Sequence, residues 1–158
     1  MVALKLILPD ERATLALGAA LSRCLEPGLV VYLRGELGAG KTTLVRGAVR
    51  ALGHEGPVRS PTYTLVEVYA VSRLDLHHFD FYRFHDPREW IDAGFRESFN
   101  GRTVSLIEWP ERAGGRLPPA DVEIALELLA TGRSAVLTSN SIRGQKCLAL
   151  LEERWPGS

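Results

Sequence analysis

The sequence predicts an α/β domain, and three consecutive features carry that expectation. Leu29 to Leu33 (LVVYL) is a continuous β-branched and aromatic run, the composition of a central strand buried on both faces. Directly behind it, Gly35 to Thr42 is a glycine-rich loop. Thr43 to Leu52 then places Val45, Val49 and Leu52 on one side of a helix, with Gly53 as its C-cap. Strand, loop and helix follow in order, the alternation expected of an α/β domain.

The other elements are justified along the chain. Residues 3 to 8 (ALKLIL) form a short apolar strand, and Pro9-Asp10 supplies a turn and a cap. The helix that begins near Asp10 carries Leu15, Gly18, Leu21 and Leu25 at three- and four-residue steps, and Pro27-Gly28 ends it. Thr62 to Ala70 and Leu74 to Phe81 alternate apolar with polar residues across a short polar connection, which predicts an antiparallel pair. Asp86-Pro87 starts another helix. Thr103 to Ile107, Val122 to Leu129 and Ser134 to Thr138 read as strands, and residues 141 to 154 as a closing helix.

A chain of 158 residues fits a single domain, residues 1 to 158, with no repeat or linker. Apolar residues at 46% and charged residues at 24% are the balance of a soluble globular protein. Nineteen basic residues against nineteen acidic ones exclude a global positive field, so any service to nucleic acid is expected to run through partner proteins. The N-terminal segment lacks the cationic start and long apolar core of a signal peptide. Nowhere do about 18 apolar residues run uninterrupted, so a protein with no membrane contact is expected. Cys24 and Cys147 are far apart in sequence and in no CxxC arrangement, so reduced, packed thiols are expected rather than a disulfide or zinc site.

Gly35-Glu36-Leu37-Gly38-Ala39-Gly40-Lys41-Thr42 fits G-x-x-x-x-G-K-[ST] at every fixed position. A triphosphate crowds the backbone, so Gly35, Gly38 and Gly40 remove side chains, or permit positive φ, where the chain curls around a phosphate. Main-chain N–H groups become ligands, and the following helix adds the unpaired donors of its first turn. Lys41 is expected to reach the β- and γ-phosphates of ATP and the Thr42 hydroxyl to hold Mg2+.

The metal also needs an acidic residue near a strand end facing the phosphates. Glu108 follows the apolar strand Val104-Ser105-Leu106-Ile107, and Asp80 follows the strand from Leu74 to Phe79. We assign Glu108 to the metal and Asp80 to orienting or activating the attacking water. His77 and His78 point to opposite faces of one strand, so they are set aside as ordinary strand residues. Ser60 to Thr64 lies where a loop that senses the γ-phosphate is expected.

Several segments together resemble one family, the bacterial tRNA threonylcarbamoyladenosine biosynthesis ATPases called TsaE, formerly YjeE. They are LPDERAT at 8 to 14, LRGELGAGKTTLVRG at 33 to 47, SPTYTLVE at 60 to 67, HFDFYR at 78 to 83 and LIEWPER at 106 to 112. The resemblance implies a P-loop NTPase-like three-layer domain with a mixed central β-sheet flanked by helices. It implies ATP hydrolysis that is weak in isolation, and assembly with the TsaD and TsaB proteins in the cytoplasm. There TsaD performs the chemistry on tRNA and the ATPase permits repeated turnover. Carried over by motif, Leu37, Gly38, Ala39, Gly40, Lys41, Thr42 and Thr43 form the phosphate cradle, and Thr42 and Glu108 are the Mg2+ ligands. Asp80 and Lys41 are catalytic, Glu11 and Arg133 are further nucleotide contacts, and Trp109 is similar to an aromatic linked to function.

Two other readings compete. A small-molecule P-loop kinase shares the loop but needs an arginine-rich lid, and Arg96, Arg102, Arg112 and Arg116 are dispersed. A nucleotide-binding switch would use ATP only to change affinity for a partner, with hydrolysis dispensable.

Overall fold

A mixed seven-stranded sheet organises the computed structural model, which describes residues 3–71, 74–84 and 95–155. The strands are β1 (Ala3–Leu8), β2 (Val30–Arg34), β3 (Val66–Val71), β4 (Leu74–Asp80), β5 (Thr103–Glu108), β6 (Val122–Leu128) and β7 (Arg133–Ser139), in the order β1-β7-β6-β2-β5-β4-β3. The four central strands β6, β2, β5 and β4 run parallel. Strands β3, β7 and β1 pair antiparallel with their neighbours at the two flanks. Parallel strands share one carboxyl end, so β2, β4 and β5 deliver the glycine-rich loop, Asp80 and Glu108 to one edge, the edge at which open α/β sheets bind ligands.

Side-chain alternation divides the sheet residues between two cores. Val31, Leu33, Leu76, Val104, Leu106 and Ile124 join one core with the helices α1 (Glu11–Ser22), α2 (Lys41–Ala51) and α3 (Ile142–Arg154). Val30, Phe79 and Ile107 face the other way and pack with Phe81, Phe84 and Ala113. That second face is covered by aromatic segments and the 3-10 turn Pro110–Ala113. The helix predicted from Asp86-Pro87 lies outside the described residues.

Helix α1 starts where Asp10 accepts a hydrogen bond from Ala13 N at 2.9 Å. Its buried face is broader than the predicted stripe: Thr14 and Leu17 are buried with Gly18 and Leu21, while Leu15 is only half-buried. The helix packs on both the sheet and α2, which widens the covered arc. A Cβ at Gly18 would lie 2.0 Å from Leu44 O of α2, and one at Gly47 would lie 2.2 Å from Leu15 O of α1. The two helices therefore cross backbone to backbone, each with a glycine at the contact.

Most predicted boundaries agree with the elements, but the segment from Thr62 enters β3 only at Val66. Leu65 N donates to Pro61 O at 2.8 Å, closing a turn, and Leu65 adopts φ 68. Leu65 O in turn accepts from Asp80 N at 3.0 Å. Cys24 and Cys147 are both buried thiols, and the tertiary fold makes them neighbours. A hydrogen bond with the Cys24 thiol, then burial, pushes the Cys147 thiol far above its ordinary range. No helix among the described residues is long and apolar enough to cross a membrane.

Candidate nucleotide site

The glycines of the loop adopt backbone that other residues resist: φ is 145° at Gly35, 81° at Gly38 and 108° at Gly40. A Cβ at Gly35 would also stand 2.6 Å from Leu126 O. Gly40 caps α2 in the left-handed region without any side-chain cap, so the first-turn N–H donors of that helix have no side chain folded over them. Such an N-terminus is a ready-made anion site. Arg133, at the start of β7, braces the loop: its Nε donates to Ala39 O at 3.0 Å and its Nη2 to Gly38 O at 3.2 Å.

Lys41 Nζ donates to Gly35 O at 2.5 Å and to Glu36 O at 2.9 Å, and stands 4.7 Å from the centre of the Trp109 ring. Burial lowers its pKa from the ordinary lysine value, while Glu108, Asp80 and Glu111 pull it back up. Trp109 itself has φ 56°, a left-handed turn that ends β5 and brings the indole to the cavity wall.

Opposite the loop stand two carboxylates, side by side because Asp80 and Glu108 are register partners in β4 and β5. Glu108 accepts from Thr42 Oγ1 at 3.1 Å through Oε2. The same Oε2 lies 2.5 Å from His78 Nε2. Asp80 Oδ1 accepts from Tyr82 N at 2.9 Å. Burial pushes the Asp80 carboxyl above the usual carboxylate range; the Tyr82 N–H opposes this and the negative Glu108 adds to it.

These groups line one cavity of about 370 Å³. Its walls include the predicted residues Glu11, Leu37, Gly38, Gly40, Lys41, Thr42, Thr43, Asp80, Glu108, Trp109 and Arg133. Ala39 does not line it, because that residue is buried and its N–H donates to Glu36 O, so it shapes the loop from within. Ser60 and Thr62, from the predicted phosphate-sensing segment, do line it. Arg46 was missed by sequence reasoning, although it lies one helical turn beyond Thr42; it faces Glu11 at 3.7 Å. His78 was set aside, yet it is fully buried against Glu108. Its signal was its place two residues before Asp80, on the same face of β4.

Main-chain donors and an ammonium on one side, with a hydroxyl and two carboxylates on the other, can neutralise a phosphate chain and hold a hard divalent cation. Among the described residues no cluster of three or more His, Cys, Asp and Glu forms a self-sufficient metal cage. A small oxygen donor set fits Mg2+, which binds through one or two carboxylates and completes its shell with water and ligand phosphates.

Fold and site together define an α/β domain with a phosphate-loop motif between its central parallel strand and a helix. Residues 8–135 match the family described as threonylcarbamoyl adenosine biosynthesis protein TsaE, and the chain belongs to that family. It is similar to the tRNA threonylcarbamoyladenosine biosynthesis protein TsaE of Haemophilus influenzae, 40% identical over 154 residues that cover 94% of this chain and 98% of that one. The protein of the same name from Bacillus subtilis is 39% identical over 120 residues, 75% of this chain and 73% of its own. The crystal structure of YdiB from Bacillus subtilis superposes with a TM-score of 0.83 at 28% identity, covering 96% of this chain and 95% of that one.

Proposed function

We propose that this chain is a cytoplasmic, Mg2+-dependent ATPase. It serves tRNA N6-threonylcarbamoyladenosine modification as an accessory factor that enables turnover of a TsaD–TsaB complex. One observation carries the reading: the Thr42 hydroxyl, Glu108 and Asp80 converge on one cavity at the N-terminus of α2. Main-chain N–H groups of Gly38 and of Gly40 to Thr43 bind the β-phosphate, and Lys41 exchanges its loop carbonyls for phosphate oxygens. Thr42 and Glu108 hold Mg2+, which when bound supplies charge neutralisation across the phosphates. Asp80, fixed by the Tyr82 N–H, orients the attacking water, and its raised pKa suits it to take up that proton. Glu11 and Arg46, which face each other, also line this cavity. With a formal net charge of +0, the protein reaches tRNA through its partners rather than by its own field.

Reconstitution tests this. The protein, the partner pair, tRNA and the activated threonylcarbamoyl donor are expected to give many product molecules per complex with ATP and about one without it. ATP-independent multiple turnover would refute the assignment.

A second reading, a nucleotide switch, draws support from the segment that contributes Ser60 and Thr62 to the cavity and whose Leu65 O accepts from Asp80 N. It prevails if Asp80→Ala still binds ATP and still sustains complete modification.

A further inference from the structure

We infer that His78 is a positioning residue for the metal carboxylate, holding Glu108 at the angle at which it meets Thr42. The inference deepens the function proposed above and rests on it. His78 is 0% exposed, and its Nε2 lies 2.5 Å from Glu108 Oε2, the same oxygen that accepts from Thr42 Oγ1 at 3.1 Å. An ionised carboxylate only accepts, so Nε2 carries the proton of this contact. Nδ1 is buried without a hydrogen-bond partner among the described residues, so the ring is held to one purpose, the bond to Glu108.

The fold explains why a histidine is needed there. Glu108 is the last residue of β5 and Asp80 its register partner, so two negative groups face each other where the sheet ends. Without a donor from below, the Glu108 carboxylate keeps the bond from Thr42 Oγ1 but loses the second one that fixes its angle. A residue two positions before Asp80 shares its face of β4 and sits one row deeper, opposite Leu106. Only a side chain with a donor at the reach of Nε2 spans that row. His78 touches neither nucleotide nor metal and acts through Glu108, in the way that outer hydrogen bonds fix the ligands of metal sites.

Two substitutions separate reach from polarity. Gln places an amide N–H near the position of Nε2, whereas Asn stops short of Glu108. H78Q is expected to keep turnover and its Mg2+ dependence within about threefold of the unaltered protein. H78N is expected to require about ten- to a hundredfold more Mg2+ for half-maximal turnover, the range found when ligand-orienting partners are removed. Calorimetric affinity for ADP with EDTA present is expected to match in all three proteins. Equal Mg2+ requirements in H78Q and H78N, whether both normal or both raised, would overturn the inference, as would a greater loss in H78Q. Nitrogen NMR of the unaltered protein gives a check that no folding defect can confound. A proton on His78 Nε2 is expected, and a proton on Nδ1 alone overturns the inference. If the unaltered protein neither binds nor turns over ATP with Mg2+, the proposed function fails; if it does both and H78N behaves normally, only the role of His78 fails.

Discussion

Asp80 is held ionisable at a cost. Burial raises its folded pKa above that of the unfolded chain, so folding favours the protonated acid. That contribution is fully present below the unfolded carboxylate pKa and is lost as pH rises through the raised folded value. At neutral pH the charged form therefore weakens the fold. Asp80→Asn keeps an oxygen for Tyr82 N and removes the charge, so it is expected to melt at a higher temperature than the natural protein at pH 7. The gap is expected to close toward pH 4, measured by thermal denaturation across pH, while turnover drops by at least about a hundredfold. Much of this site is legible in the sequence because the motif dictates residue types: Gly35, Gly40, Lys41 and Thr42 stand where it requires them. His78 was not, because a histidine in a strand reads as an ordinary strand residue until the pairing of β4 with β5 brings it under Glu108. Arg133 was legible only by resemblance, and its bonds to Gly38 O and Ala39 O are contacts between distant parts of the chain that no local pattern encodes.

At the scale of elements, the crossing of α1 and α2 sets where the loop can sit, since α2 begins at Lys41. Gly18→Ala drives a methyl against Leu44 O, and overpacking of this kind costs about 1–3 kcal/mol. A melting temperature lower by roughly 2–4 °C for each kcal/mol is expected from calorimetry. Because the displaced helix carries Lys41 and Thr42, nucleotide affinity is expected to weaken as well, which isothermal titration would read. Strand cores were legible from hydrophobic runs, β2 and β5 most clearly, because burial on both faces leaves few polar interruptions. The start of β3 was not, since the bond from Leu65 N to Pro61 O turns an apolar-polar alternation away from the sheet. The face of α1 was legible only in part: periodicity gives a stripe for one neighbour, and α1 packs against more than one.

For the whole molecule, a ligand that binds only the folded state stabilises it by mass action, about 2.7 kcal/mol at a concentration a hundred times its Kd. Mg-ATP at that level is expected to raise the melting temperature by roughly 5–10 °C. Lys41→Ala is expected to abolish the shift while leaving the unliganded melting temperature close to its original value. The α/β class was legible from the strand, loop and helix around the motif. Strand order was not: β6 and β7 come late in the chain yet lie beside β2 and β1, a placement decided by packing of sheet and helices rather than by any local signal.

The brace from Arg133 has a consequence for the birth of the molecule. Its guanidinium reaches the loop across 94 residues of sequence. A growing polypeptide that has already emerged with every residue of the motif still lacks the strand that steadies it. During synthesis on the ribosome, the contacts that steady the loop therefore arrive late, when β7 slots between β1 and β6. Nascent chains released before that moment carry the motif without its brace.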